Sequence, residues 1–333
     1  MTTGRDGAAA PAAPAAPATP AAPAAPAERA ERAERAERAE RAERAERAER
    51  AEPAAPNAPS DALGPQDGLV AQWWATGVSR IEPGIVELRG HPVQDLIGRT
   101  SFVEVIWLLL RGELPGPAQA RLLEAALVAG VDHGPQAPSI AAARMAATCG
   151  IGLNSAVATG VNMLGDVHGG AGQQCVQLLS EIAEQGDAEA EFEDTVERTV
   201  GAWRARSRYL PGFGHRFHPH DPRRDPLLAL VDRAVSDGLV RGAHLRAARA
   251  VERYLNQGRT GKKPVPMNID GATAVIYAEL GFAAPLARGL FVLSRSVGIL
   301  AHAWEETGQG RRNKSPMPPS MIPVHLADQT DAS

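Results

Sequence analysis

Leu210-Pro-Gly-Phe-Gly-His-Arg-Phe-His-Pro-His-Asp-Pro-Arg223 is punctuated by glycine and proline, which makes it a loop. It gathers three of the chain's nine histidines. Gly212 and Gly214 let the backbone turn tightly beside His215 and let a ligand approach closely. Pro211, Pro219 and Pro222 stiffen the path. A cationic, pre-shaped loop of this kind suits a small anionic ligand. The same residues also suit an ordinary basic surface loop, because a loop carries a site only where a scaffold positions it. The flanking segments must decide between the two.

Downstream, Pro226 to Ser236 and Leu245 to Leu255 have the pattern of amphipathic helices. The basic turn Gly258 to Pro264 leads into Pro266-Met267-Asn268-Ile269-Asp270-Gly271-Ala272. Asp270 there heads an apolar helix running to Leu280, where a helix-capping carboxylate is the plain structural role. A last long helix runs from about Pro285 to Trp304. It places Arg295 amid Phe291, Leu293, Val297 and Ile299, so Arg295 needs an anionic partner, either a protein carboxylate or a ligand. Upstream, Cys175 to Glu184 and Phe192 to Trp203 look helical. Gly165 to Gly172 is a glycine-rich turn around His168, whose amides can face a ligand. Ile140 to Leu164 is rich in small residues and reads as a buried helix pair. Val131 to Ser139 is a helix–loop–helix junction, with Ser139 as N-cap and His133 as a plain C-terminal helix residue. Pro117 to Gly130, Phe102 to Leu110 and Val93 to Leu96 are helical, and Pro83-Gly84 makes a β-turn or hairpin.

The chain has 333 residues and a formal net charge of −4, too balanced to argue for nucleic acid or a membrane surface. Apolar runs such as Val105 to Leu110 are far too short to span a bilayer. The amino terminus lacks the apolar segment of a signal peptide. Cys149 and Cys175 sit in apolar or small-residue surroundings without metal-ligand spacing. They read as buried, reduced thiols of a cytoplasmic protein. Aromatic residues make up 4% of the chain and alanine is abundant, which favours an all-α domain of closely packed helices. Residues 1–67 are low-complexity. An Ala-Pro tract to Ala27 is extended. A Glu-Arg-Ala triplet then repeats from Glu28 to Ala51, with helix-supporting i,i+4 pairs but a period of 3 that forms no coiled-coil seam. A tether or partner-binding segment is the functional reading open to it.

Separated motifs then occur in one order. They are Val167-His168-Gly169-Gly170; Gly212-Phe213-Gly214-His215-Arg216 with Asp221-Pro222-Arg223; Asn268-Ile269-Asp270; and Ser294-Arg295-Ser296-Val297-Gly298 with Ala301-His302 behind it. Together they resemble the citrate synthase superfamily over about Trp73 to Pro318. The resemblance implies an almost all-helical, two-domain fold. A large domain (68–170 and 266–333, with the carboxyl tail) would carry an inserted small domain (171–265). The site would lie in the cleft between them, and the unit would be a homodimer or a higher homo-oligomer.

The resemblance also implies roles. Asp270 would move the proton at the carbon beside the thioester, His168 would stabilise the enol or enolate, and His215 would polarise the ketone of oxaloacetate. His133, Arg223 and Arg295 would hold carboxylates, arginine bidentately. Pro211, Gly212, Phe213, Gly214, Lys262, Lys263 and Asn268 would contact coenzyme A. The thioester would be a substrate, with no tightly bound cofactor. No metal site is expected, since His218-Pro-His220-Asp221 does not complete a ligand set. Asp132-His133-Gly134-Pro135 looks like the citryl-CoA lyase branch, which includes the carboxyl-terminal part of ATP-citrate lyase. His168 looks like the citrate synthases, which usually also place an arginine where Ser315 stands. The expected activity is citryl-CoA lyase, cleaving citryl-CoA to acetyl-CoA and oxaloacetate. The alternatives are a citrate synthase and a non-catalytic acyl-CoA-binding paralogue.

Overall fold

The computed structural model describes residues 72–185, 189–214 and 220–323. The low-complexity tail, His215 and His218 therefore lie outside the described residues. The turn expected at Pro83-Gly84 joins β1 (Ser79–Glu82) to β2 (Ile85–Leu88), antiparallel with Glu82 opposite Ile85; β3 (His91–Pro92) completes a sheet of order β1-β2-β3.

All other regular structure among the described residues is helical: α1 (Val93–Leu96), α2 (Phe102–Arg111), α3 (Pro117–Gly130), α4 (Pro138–Ala147), α5 (Leu153–Asn162), α6 (Ala171–Ala183), α7 (Glu189–Arg206), α8 (Arg224–Ser236), α9 (Ala243–Asn256), α10 (Ile269–Glu279) and α11 (Ala284–Gly308). The fold is all-α. Local chemistry sets many of the ends. Ser101 and Glu104 form a capping box on α2, and left-handed Gly112 ends it. Pro117 and Pro138 begin α3 and α4, where a missing amide hydrogen costs nothing.

Two helices organise the rest. In α10 every residue from Gly271 to Ala278 is buried, and it packs against α3, α6, α8 and α9. A helix apolar all round belongs in an interior. Its last residue, Glu279, caps α9 by accepting from the amides of Gly242 (2.9 Å), His244 (2.8 Å) and Leu245 (3.1 Å). Burial pushes the Glu279 carboxyl up, but His244 and those amides outweigh it and hold it below its ordinary range. The second helix, α11, packs against α3, α4, α5 and α6. It is long and apolar enough by composition to cross a membrane, which the short apolar runs did not suggest. Its inner face nevertheless buries Arg295 and Glu306 within the protein.

Several expectations change. Ser139 is not the cap of α4; Ala137 holds that position, and Ser139 lies fully buried inside the first turn. His133 follows the end of α3 in a loop and is exposed. Asp270 is not a cap either, because Asn268 caps α10. The small-residue pair α4 and α5 is only half interior, with Ala156 and Gly160 of α5 buried and Asn154, Ser155, Ala158 and Thr159 exposed. Cys149 is exposed, whereas Cys175 is fully buried. Burial, with Asp270 nearby, pushes the Cys175 thiol far up, so it stays protonated. A thiol reagent added to the native protein is therefore expected to modify Cys149 and to reach Cys175 only after denaturation. Equal native rates would contradict this burial.

Candidate active site

The 210–214 loop and the head of α10 are built onto each other. Gly212 stands at φ 81°, and a β-carbon there would lie 2.5 Å from Cys175 Sγ and 2.9 Å from Gly271 Cα. A β-carbon on Gly271 would lie 2.5 Å from the Gly212 carbonyl oxygen. Two bare backbones thus touch where side chains could not fit. Asn268 N–H donates to Gly212 O (3.0 Å), Gly214 N–H to Pro266 O (2.7 Å), and Asn268 Nδ2 to Gly214 O (2.6 Å). Asn268 Oδ1 accepts from the amides of Asp270 (2.9 Å) and Gly271 (3.3 Å). Both polar ends of the Asn268 side chain are therefore engaged within the protein. Of the other residues assigned to coenzyme A, Pro211 to Phe213 are buried, Gly214 is half-buried, and Lys262 and Lys263 are exposed on the turn after α9.

With Asn268 capping the helix, the Asp270 carboxylate is left for other work. Burial raises its proton affinity above the ordinary carboxylate range; Arg295 and Arg223 oppose that, and Asp221 adds to it. These groups come from separate elements. Arg295, on α11, is 6% exposed, donates Nε–H to Gly130 O (3.1 Å) and lies 4.9 Å from the Phe291 ring centroid. Arg223 precedes α8 and makes a bidentate pair with the fully buried Asp221 (Nε to Oδ1 2.9 Å, Nη2 to Oδ2 2.9 Å). Its Nη1 donates to Ala129 O at 3.3 Å. Its fork was expected to face a substrate, but Asp221 already holds much of it.

His168 is half-buried in the turn before α6. Its Nε2 lies 3.2 Å from the Ser139 amide nitrogen and 3.0 Å from Ser139 Oγ. A backbone N–H can only donate, so Nε2 accepts and the neutral ring carries its proton on Nδ1. Burial, then the charge of Arg295, lowers the pKa of His168. A neutral imidazole with a free donor suits a carbonyl that gains negative charge.

Sequence reasoning gave no chemical role to Ser139 or Asp132, and none to Asp221 beyond the metal set it set aside. Asp221 was visible as the first residue of Asp-Pro-Arg and beside His218 and His220 in that metal set, and its burial needed the fold. His220, once considered for a metal, pairs with Asp225 at 2.8 Å.

Residues 115–316 match the family described as citrate synthase, C-terminal domain. That is more than half of the chain, and the chain belongs to this family. It is 28% identical over 225 residues to a citrate synthase of Acidithiobacillus ferridurans, covering 66% of this chain and 54% of that one. The chain thus spans about half the length of such a relative. A solved structure of citryl-CoA lyase from Hydrogenobacter thermophilus matches with 31% identity and a TM-score of 0.64, over 78% of this chain and 99% of that one. ATP citrate lyase from Methanothrix soehngenii, solved with citrate and coenzyme A, shares the fold at 21% identity and a TM-score of 0.65, over 84% of this chain and 46% of that one.

Proposed function

We propose that this chain cleaves citryl-CoA to acetyl-CoA and oxaloacetate. The observation that carries the reading is the gathering of Asp270, whose proton affinity is raised, with Arg295, Arg223 and His168. In cleavage, the citryl hydroxyl loses its proton to His215. The carbon–carbon bond breaks, and its electron pair passes into the thioester enolate, which His168 Nδ1–H stabilises. Protonated Asp270 then delivers a proton to carbon, leaving acetyl-CoA and the ketone of oxaloacetate. Arg295, with His133 and the donors of Arg223 that Asp221 and Ala129 leave, holds the carboxylates. The small lobe, residues 171–265, would close over the thioester. The likeness along nearly the whole Hydrogenobacter lyase supports this direction. So does Lys314, beside the Ser315 position, whose ammonium is bound by both Glu306 oxygens at 2.9 Å rather than left for a substrate carboxylate.

The second reading is a citrate synthase, favoured by the curated relatives. Purified protein given citryl-CoA separates the two. Oxaloacetate and acetyl-CoA with little free coenzyme A is the expected result. Citrate with free coenzyme A would establish the synthase, and no product would leave a non-catalytic acyl-CoA-binding protein.

The working unit in this reading is a homodimer. On the outer face of α11, Leu293, Val297, Leu300 and Trp304 (39, 56, 44 and 67% exposed) follow a spacing that keeps them on one stripe. A second copy would bury it. Sedimentation is expected to give a dimer, and Trp304→Glu to shift it toward monomer. A wild-type monomer would remove the dimer from the reading.

A further inference from the structure

The end of α3 and the loop after it, which carries His133, rest on one face of α11. Ser294 Oγ–H donates to Leu127 O (2.5 Å) and Arg295 Nε–H to Gly130 O (3.1 Å). A β-carbon on Gly298 would lie 2.4 Å from Val131 O and 2.9 Å from Asp132 Oδ1, so the loop rests on bare helix backbone. One turn further along, His302 Nε2 reaches Asp132 Oδ1 at 3.2 Å. The other oxygen of Asp132 accepts from Gly134 N–H at 3.0 Å, closing a turn around His133, with Gly134 at φ 77°. Asp132 thus shapes the backbone on which His133 is presented, and its charge also acts on Arg295.

The tautomer of His302 follows from its other side. Nδ1 lies 3.1 Å from Arg144 Nη1. A guanidinium has donors only, so Nδ1 must accept and the proton of the neutral ring sits on Nε2, the nitrogen beside Asp132. Arg144 is itself fixed by Glu305 (2.8 Å) and by fully buried Glu306 (2.5 Å). Glu306 is bound in turn by Lys314, whose amide donates to Thr148 Oγ1 at 2.9 Å.

We infer that His302 is a positioning residue: its Nε2 edge, 3.2 Å from Oδ1, supports the Asp132 carboxylate electrostatically, and with it the turn bearing His133, while Arg144 sets its tautomer. This deepens the proposed carboxylate-binding role of His133 and rests on that reading. Gln and Asn substitutions divide the two ring nitrogens. His302→Gln places an amide donor near the Nε2 position, whereas His302→Asn reaches only as far as Nδ1. Hydrogen exchange at the Gly134 amide reads the turn without any substrate. It is expected to lose protection in His302→Asn and to keep it in His302→Gln, with melting temperatures alike. In the enzyme assay, His302→Asn is expected to raise KM for the carboxylate substrate about tenfold with kcat little changed, and the Gln variant to restore it.

Unchanged Gly134 protection in His302→Asn would overturn the inference, as would equal loss in both variants. Gly134 protection lost in His302→Asn and kept in His302→Gln, together with a wild type that turns over no citryl-CoA, would instead overturn the proposed function and leave the positioning role standing.

Discussion

Asp270→Asn is expected to lose turnover by about 10²- to 10⁴-fold, the usual contribution of a placed proton-transfer group, or about 3–5 kcal/mol of barrier. Asparagine has nearly the same shape and leaves the Asn268 cap untouched, since that cap binds backbone amides. The fold is therefore retained. Substrate binding is also retained, because removing a negative charge beside Arg295 and Arg223 does not repel an anion. The loss should fall on kcat. The pH profile gives an independent check. Burial places the Asp270 carboxyl above the ordinary carboxylate range. Cleavage uses its protonated form, so the rate falls as pH rises through that raised pKa; the synthetic direction uses the carboxylate and shows the opposite slope. The Asn variant should show neither limb. A variant keeping more than about a tenth of wild-type turnover would mean that Asp270 is not the proton carrier.

Gly271→Ala is expected to destabilise the protein, although alanine is the better helix former. Helix propensity favours alanine by about 1 kcal/mol. Against that, the new β-carbon would lie 2.5 Å from the Gly212 carbonyl oxygen and 2.6 Å from Met267 Cγ. Met267 can shift, but the Gly212 carbonyl belongs to backbone that accepts from Asn268 N–H and packs on Cys175. Overpacking of this kind costs about 1–3 kcal/mol or more, so the clash prevails and the melting temperature drops by several degrees. Activity should fall further than stability, since relief of the clash moves the 210–214 loop off the head of α10. An unchanged or higher melting temperature would show that the two backbones are not held this close.

Most helices were legible because their signals are local: Pro117 starts α3 and left-handed Gly112 ends α2. The errors fall where a side chain chose a distant partner. Ser139 has the composition of a cap, yet it is buried against His168, 29 residues away. Asp270 looked like a cap because acidic residues favour first turns, but Asn268 took the role. Cys149 and Cys175 both read as buried thiols, and packing put one at the surface and the other in the core.

The sequence by itself determined the family and the all-helical class, because these depend on spacing, composition and ordered motifs along the chain. The tertiary structure alone decided the electrostatics: that Asp221 occupies much of the fork of Arg223, that burial raises Asp270 and lowers His168, and that His302 Nε2 lies 3.2 Å from Asp132. Charge and burial act across space, and residues far apart in the chain set them only after the helices have packed.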